Sequence, residues 1–316
     1  MGTATDRARG GVIVVGVDGS RAADAAVTWA AIEADRLECG LRLLHVIPMV
    51  ALSGLHAESA GDALPKSDAA LRHRRDRILG QPAKLARTIL PQDRVTTDMV
   101  PGERVPELVS AAAQARAVVL GAPWHPRVDR LITGSVVGGV AARAGVPVVG
   151  VPEDWTSHQD QGRIVVAVKH PEGEASRRMV AQAIGIAASR KSRLTVLHSW
   201  EFPVVYDNMI ATVDQEQEWT DVKRQSLEEL VELAGGADSG VSIDVEVVHG
   251  QGAHAVVAAA ADADLVIISR RRHAFPFGHL GAPGRTVLRE SRCPVEVVPP
   301  LDPEPSRDSA DTHPSD

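Results

Sequence analysis

Three places along this chain carry residue types that could hold a phosphorylated or otherwise anionic ligand. Asp18-Gly-Ser20 follows an apolar run, so a carboxylate stands where it can accept from an amine of a base or a ribose hydroxyl. Gly121-Ala-Pro-Trp124 is followed, after residues 125–133, by Gly134-Ser135. Phosphates are bound by backbone N–H groups that can be approached closely, and glycines allow this because they lack a Cβ. A helix starting at Ser135 would add free N–H groups and the positive end of its dipole. The Ser135 hydroxyl could donate to a phosphate oxygen, and Arg127 and Arg130 could offset phosphate charge. The third place is Arg270-Arg-Arg-His273, a cationic run suited to an anion or an acidic partner.

Each also has a plainer use. Asp-Gly-Ser after a strand makes a turn and a helix cap, Gly-Ser starts a helix, and a run of arginines is commonly a solvated loop. Trp124 either fills the space that phosphates would take or packs outward.

Composition narrows the rest. The chain has 316 residues, a length that predicts two domains. With 44% apolar and 24% charged residues it has the make-up of a soluble globular protein. Aromatics are 3%, so the cores must be built from Val, Leu, Ile and Ala. A formal charge of -7 gives no support to nucleic-acid binding. The two cysteines, Cys39 and Cys293, are too few for a disulfide framework and read as small apolar residues. Val12 to Val17 is too short for a signal-peptide core, and Gly134 to Pro152 is too broken by Gly, Arg and Pro to span a membrane. A cytoplasmic protein is expected. The twelve histidines form no metal-ligand spacing; His45 and His198 read as half-buried strand residues. There is no Walker loop, no Gly-x-Ser-x-Gly elbow and no recurring carboxylate pair.

The chain repeats itself. Val12-Ile-Val-Val-Gly-Val17 returns as Ile164-Val-Val-Ala-Val168, and Leu43-Leu-His-Val46 as Val196-Leu-His-Ser199. Val100-Pro-Gly102 answers to Val248-His-Gly250, Ala117 to Gly121 answers to Leu265 to Ser269, and Gly145 to Val149 answers to Arg292 to Glu296. One duplicated unit accounts for this.

In the first copy a strand at 12–17 ends at Asp18-Gly-Ser20, and a helix carrying Val27, Ala30, Ala34 and Leu37 on one face stops near Gly40. Leu41 to Val46 is a second strand, followed by a long polar segment and a helical stretch broken by Pro82. Val95 to Val100 is a third strand. A helix with Val105, Leu108, Val109 and Ala112 leads to strand four at Ala117 to Leu120. A last helix, Ser135 to Ala144, leads to strand five at Val146 to Val151. Continuous apolar strands alternating with helices argue for a parallel sheet covered on both faces. In such doubly wound sheets ligands sit beyond the C-terminal strand ends, where strand order reverses. Pro152 to Gly162 is the linker and 301–316 is expected to be a disordered tail.

These marks resemble the universal stress protein family across nearly the whole first copy. They are Val-Gly-Val-Asp-Gly-Ser at 15–20, Leu-His-Val at 44–46, and the Gly121 loop, whose spacing to Gly134-Ser135 matches the nucleotide-binding members although tryptophan replaces its middle glycine. The resemblance implies two tandem doubly wound five-stranded parallel sheets of order 3-2-1-4-5, helices on both faces, in domains 1–155 and 156–300. It implies fifth strands side by side, so that one chain imitates a dimer, with homodimerisation possible beyond that. It implies ATP, with Mg, held in the first domain by Gly16, Val17, Asp18, Val46, Gly121, Gly134, Ser135 and Val136.

The second copy departs from that pattern. Lys169 stands in place of Asp18, Ser269 in place of the first loop glycine, and Ala282 in place of Ser135. No nucleotide is expected there. A regulatory, non-enzymatic stress-response protein binding ATP in one half is therefore expected. The alternatives are an interaction module without nucleotide, and a slow ATPase for which no general base can be named beside Asp18.

Overall fold

The computed structural model describes residues 11–48, 64–122, 136–157, 161–202, 213–270 and 280–300. In the first half the elements are β1 (Val12–Gly16), α1 (Arg21–Arg36), β2 (Gly40–Ile47), α2 (Leu64–Arg87), β3 (Val95–Pro101), α3 (Arg104–Ala112), β4 (Ala115–Ala122), α4 (Val136–Ala141) and β5 (Val148–Pro152). The second half repeats them as β6 (Arg163–Val168), α5 (Glu174–Arg190), β7 (Arg193–Trp200), α6 (Val213–Leu233), β8 (Ile243–His249), α7 (Gly252–Ala259), β9 (Leu265–Ser269), α8 (Ala282–Glu290) and β10 (Val295–Val298).

Each half has the strand order anticipated from the sequence, and the two join into one ten-stranded sheet, β3-β2-β1-β4-β5-β10-β9-β6-β7-β8. All pairings within a half are parallel. The seam pairing of β5 with β10 is antiparallel, with Val295 opposite Gly150, Glu296 opposite Val149 and Val297 opposite Val148. Strands of Val, Ile and Leu bury both faces, as a sheet sandwiched between helices requires. One face packs under α1, α2, α5 and α6 in a core that runs through the seam. The other packs under α3, α4, α7 and α8.

Local chemistry explains the element ends. Ser20 accepts from the Ala23 amide at 3.2 Å and caps α1. The helix ends at Leu37 rather than near Gly40, because Glu38 turns the chain with φ of 51°. Gly40 is instead the first residue of β2. Nor does Pro82 break the second helix: α2 runs through it. Pro82 is buried beside Leu79, Ala83 and Ala86. Packing of that face on the core offsets the backbone bond that proline removes.

Arg270 corrects the reading of the basic run. It leaves the end of β9 half-buried, and its guanidinium donates to the carbonyls of Ala142 and, at 3.1 Å, Ala144, across the seam. Those carbonyls follow α4, where a helix end needs donors. Desolvation lowers the Arg270 pKa, but bonds to backbone oxygens use its charge. Residues 271–273 lie outside the described residues. Arg270→Ala should destabilise the protein by about 2 kcal/mol, the scale of charged hydrogen bonds lost from a half-buried site. Urea titration reads this directly, and an unchanged midpoint would show that Arg270 does not tie the halves together.

A buried charged group crosses the same seam on the opposite face. Glu296 of β10 is 7% exposed and accepts from Gln182 Nε2 of α5 at 3.4 Å. Beside it, Glu33 of α1 bridges two arginines, Arg36 on its own helix and Arg190 on α5, the latter at 2.7 Å. The Arg190 guanidinium lies 5.4 Å from the centre of the Trp29 ring.

Candidate functional site

β1 lies between β2 and β4, so the C-terminal end of β1 is where strand order reverses in the first half. Gly16 is in register with Leu44 on β2 and with Leu120 on β4. The backbone then brings Val17 and Asp18, Val46, and Gly121 to one rim. Gly134 and Ser135, with Trp124, Arg127 and Arg130, lie outside the described residues. Val136 is half-buried at the start of α4 and packs against the same core face as Val46, Leu108 and Leu120.

The glycines on this rim differ in what they make room for. A Cβ on Gly16 would stand 2.4 Å from Leu120 Cδ2 and 3.2 Å from Leu108 Cδ2, both movable side-chain ends. A Cβ on Gly121 would stand 2.3 Å from the carbonyl carbon of Ala22 and 2.7 Å from the Ala23 nitrogen, which is helix backbone. Gly121 therefore lets β4 run against the first turn of α1. Gly19 has φ of 84° and open space around it, so it serves the turn.

Asp18 is exposed in that turn, and its Oδ1 accepts from the Ser20 amide at 3.0 Å. Its position is fixed by a clamp that sequence reasoning missed. Val17 donates its amide to the Leu44 carbonyl at 2.9 Å, and the Val17 carbonyl lies 2.7 Å from His45 Nδ1. His45 is buried, not half-buried, at 7% exposure. The second half repeats this contact, His198 Nδ1 lying 2.9 Å from the Val168 carbonyl. Burial lowers the His198 pKa, so the ring stays neutral there. The recurrence of histidine at matching strand positions was the available signal: an imidazole fastening strand two to the exit of strand one.

The same rim of the second half has other contents. Lys169 is exposed where Asp18 would be, and α5 starts after Gly173 with no side-chain cap. Ser269 ends β9, Gly281 precedes α8, and Ala282 opens that helix. Farther out, Trp200 and His249 stack with ring centres 4.4 Å apart. Phe202 and Trp219 pack around them. His249 Nδ1 lies 3.0 Å from Glu216 Oε1. Among the described residues no group of three or more His, Cys, Asp or Glu could hold a metal ion. Both cysteines are buried, and burial pushes the Cys293 thiol up to about 12, so neither is poised to react. Among the described residues no helix is long and apolar enough to cross a membrane.

Two doubly wound halves, each with a histidine-clamped strand exit at its order reversal, define a tandem α/β protein. The universal stress protein family model matches residues 11–152 and again 162–299, and the chain belongs to that family. Universal stress protein Rv2623 of Mycobacterium tuberculosis is 29% identical over 297 residues, covering 90% of this chain and 95% of that protein. The crystal structure of a universal stress protein from Archaeoglobus fulgidus shares the fold, with a TM-score of 0.65 at 16% identity over 91% of this chain and 98% of that one. A universal stress protein solved in complex with cAMP covers 43% of this chain and 94% of its own, at 23% identity and a TM-score of 0.32.

Proposed function

We propose that the first domain, residues 1–155, binds ATP as a regulatory ligand, and that the second, residues 156–300, binds none in that manner. The observation that carries this reading is an exposed carboxylate at the order reversal of the first half, replaced by an exposed lysine in the second. In doubly wound sheets that reversal opens a crevice where ligands sit. Asp18 accepts from the adenine amine or a ribose hydroxyl through the oxygen not used by Ser20. Gly16, Val17 and Val46 wall the base, while Gly121, Gly134, Ser135 and Val136 form the phosphate side, with Mg on the phosphates. The chain acts in the cytoplasm as a pseudo-dimer within one molecule, signalling stress through the bound state rather than by turnover.

A second reading, an interaction module without nucleotide, is favoured by Gly121, whose close approach to α1 explains its small size without a ligand. Calorimetry with ATP separates the two. One equivalent should bind to the wild type, and Asp18→Ala should weaken it at least tenfold, since a lost charged hydrogen bond is worth about 1.5–3 kcal/mol. Gly134→Ala should weaken it as well. No heat and no competition with the wild type would leave the interaction module standing.

A further inference from the structure

The two outermost helices of one layer carry opposite charge at matching places in the repeat. α2 lies over β2 and β3, α6 lies over β7 and β8, and β3 and β8 are the two edges of the ten-stranded sheet. Between residues 73 and 87, α2 has five cationic side chains and one acid, Asp76. Between residues 215 and 233, α6 has six acids and two cations, Lys223 and Arg224.

Helical spacing sorts these charges into stripes. Arg77, Lys84 and Arg87 are exposed and share one face of α2 with Gly80. Asp221, Glu228 and Glu232 are exposed and share one face of α6 with Gln225. None of these six charged groups enters an ion pair among the described residues.

A charged helix face by itself is ordinarily just solvated. α6 has something more: of the four large apolar side chains exposed among the described residues, three stand on it. They are Trp219 at 36%, Val222 at 58% and Leu233 at 68% exposure. Their spacing sets them in one strip, with Glu218 and Glu229 between it and the acidic stripe. An apolar strip rimmed by charge is the make-up of a protein-binding surface. The occupant it asks for is cationic, and this chain carries such a surface on α2. Extension of the sheet is less suited to joining copies. β5 and β10 are already paired at the seam, and each edge strand gives a carbonyl to an arginine of the helix above it. Thr97 accepts from Arg75 and Val245 from Arg224, both at 3.0 Å.

We propose that this protein pairs with a second copy of itself, the cationic stripe of α2 in one copy lying along the acidic and apolar face of α6 in the other. A two-fold axis makes the contact twice, α2 on α6 and α6 on α2, so the assembly closes as a dimer. Placing α2 on α2 would set like charges together, so charge selects the orientation as well as the partner. The inference uses no residue of the nucleotide reading and survives its failure.

Sedimentation equilibrium of the full chain reads the association. The wild type should dimerise, and molar salt should weaken the dimer about tenfold or more, since screening shortens the reach of charge to about 3 Å. Arg77→Glu with Lys84→Glu reverses most of the α2 stripe, and Asp221→Lys with Glu228→Lys reverses most of the α6 stripe. Each double variant alone should associate about tenfold more weakly than wild type, because like charges then face each other. An equimolar mixture of the two should recover the dimer, since every acidic stripe then meets a basic one. Recovery also shows that both variants are folded. If either folds poorly, the single exposed changes Lys84→Glu and Glu228→Lys repeat the mixing test. The proposal is overturned by a monomer at every concentration to several hundred micromolar, which would leave the α6 face to a basic partner other than this chain. It is overturned equally by a dimer that neither reversal weakens, or by a mixture no tighter than its parts.

Discussion

Gly121→Ala is expected to lower the stability of the first domain by about 3 kcal/mol or more, the range of severe overpacking against an immobile wall. The added methyl would fall 2.3 Å from the Ala22 carbonyl carbon and 2.4 Å from its oxygen. Relief would require α1 to lift, and α1 is held by the Ser20 cap and by Ala23, Ala26, Val27 and Ala30 packed flat on the sheet. Gly185→Ala is the control of opposite sign: it sits in the interior of α5 with nothing within 4 Å of the new methyl. That change should stabilise by roughly 0.5–1 kcal/mol. Urea titrations followed by circular dichroism would read both, and a Gly121→Ala midpoint equal to wild type would refute the close packing of β4 on α1. If Gly121→Ala also loses ATP, the folding defect explains it, whereas Asp18→Ala tests the ligand contact in an exposed turn.

Stability should also fall as pH rises from about 4.5 to about 7, and Glu296 should be the main cause. Burial pushes its carboxyl up to about 7, Glu33 adds to the rise, and Arg190 and Arg36 oppose it. Facing it are Glu33 and Arg36 from α1 and Gln182 and Arg190 from α5. With the folded value above the unfolded one of 4.5, the folded protein binds the extra proton between the two. The stabilisation is therefore complete below about 4.5 and lost as pH climbs through about 7. Its full size is about 3 kcal/mol, because holding a proton across each pH unit of that interval is worth about 1.36 kcal/mol. Glu296→Gln should leave stability at pH 5 nearly unchanged, raise it at pH 8, and flatten the profile between. Parallel profiles for variant and wild type would remove Glu296 as the source.

What was legible in the sequence was whatever repeats or alternates. Val12–Val17 and Ile164–Val168 gave the strand at the centre of each half, and the strand order follows once the unit resembles a known family. Asp18 and its replacement by Lys169 were visible because the two copies can be laid side by side. Arg270 was misread because its partners, the carbonyls of Ala142 and Ala144, belong to the other half and carry no side-chain signal. The helix through Pro82 was misread because propensity is local while the packing that overrides it is not. Glu296 had a signal, a charge inside Val-Glu-Val-Val, but its consequence depends on Glu33, Arg36 and Arg190, which only the folded seam gathers.

The seam register has one further implication. Val149 and Glu296 occupy matching places in the two copies, and they are also direct partners across the antiparallel pair. The approximate rotation relating the halves therefore passes beside them. In a dimer of identical chains that spot must hold the same residue twice, so a glutamate there would face its own symmetry copy with two carboxylates starved of water. Joining the halves covalently releases each side from copying the other. An acid can then stand alone against a valine, just as an aspartate at one strand exit can stand against a lysine at the other.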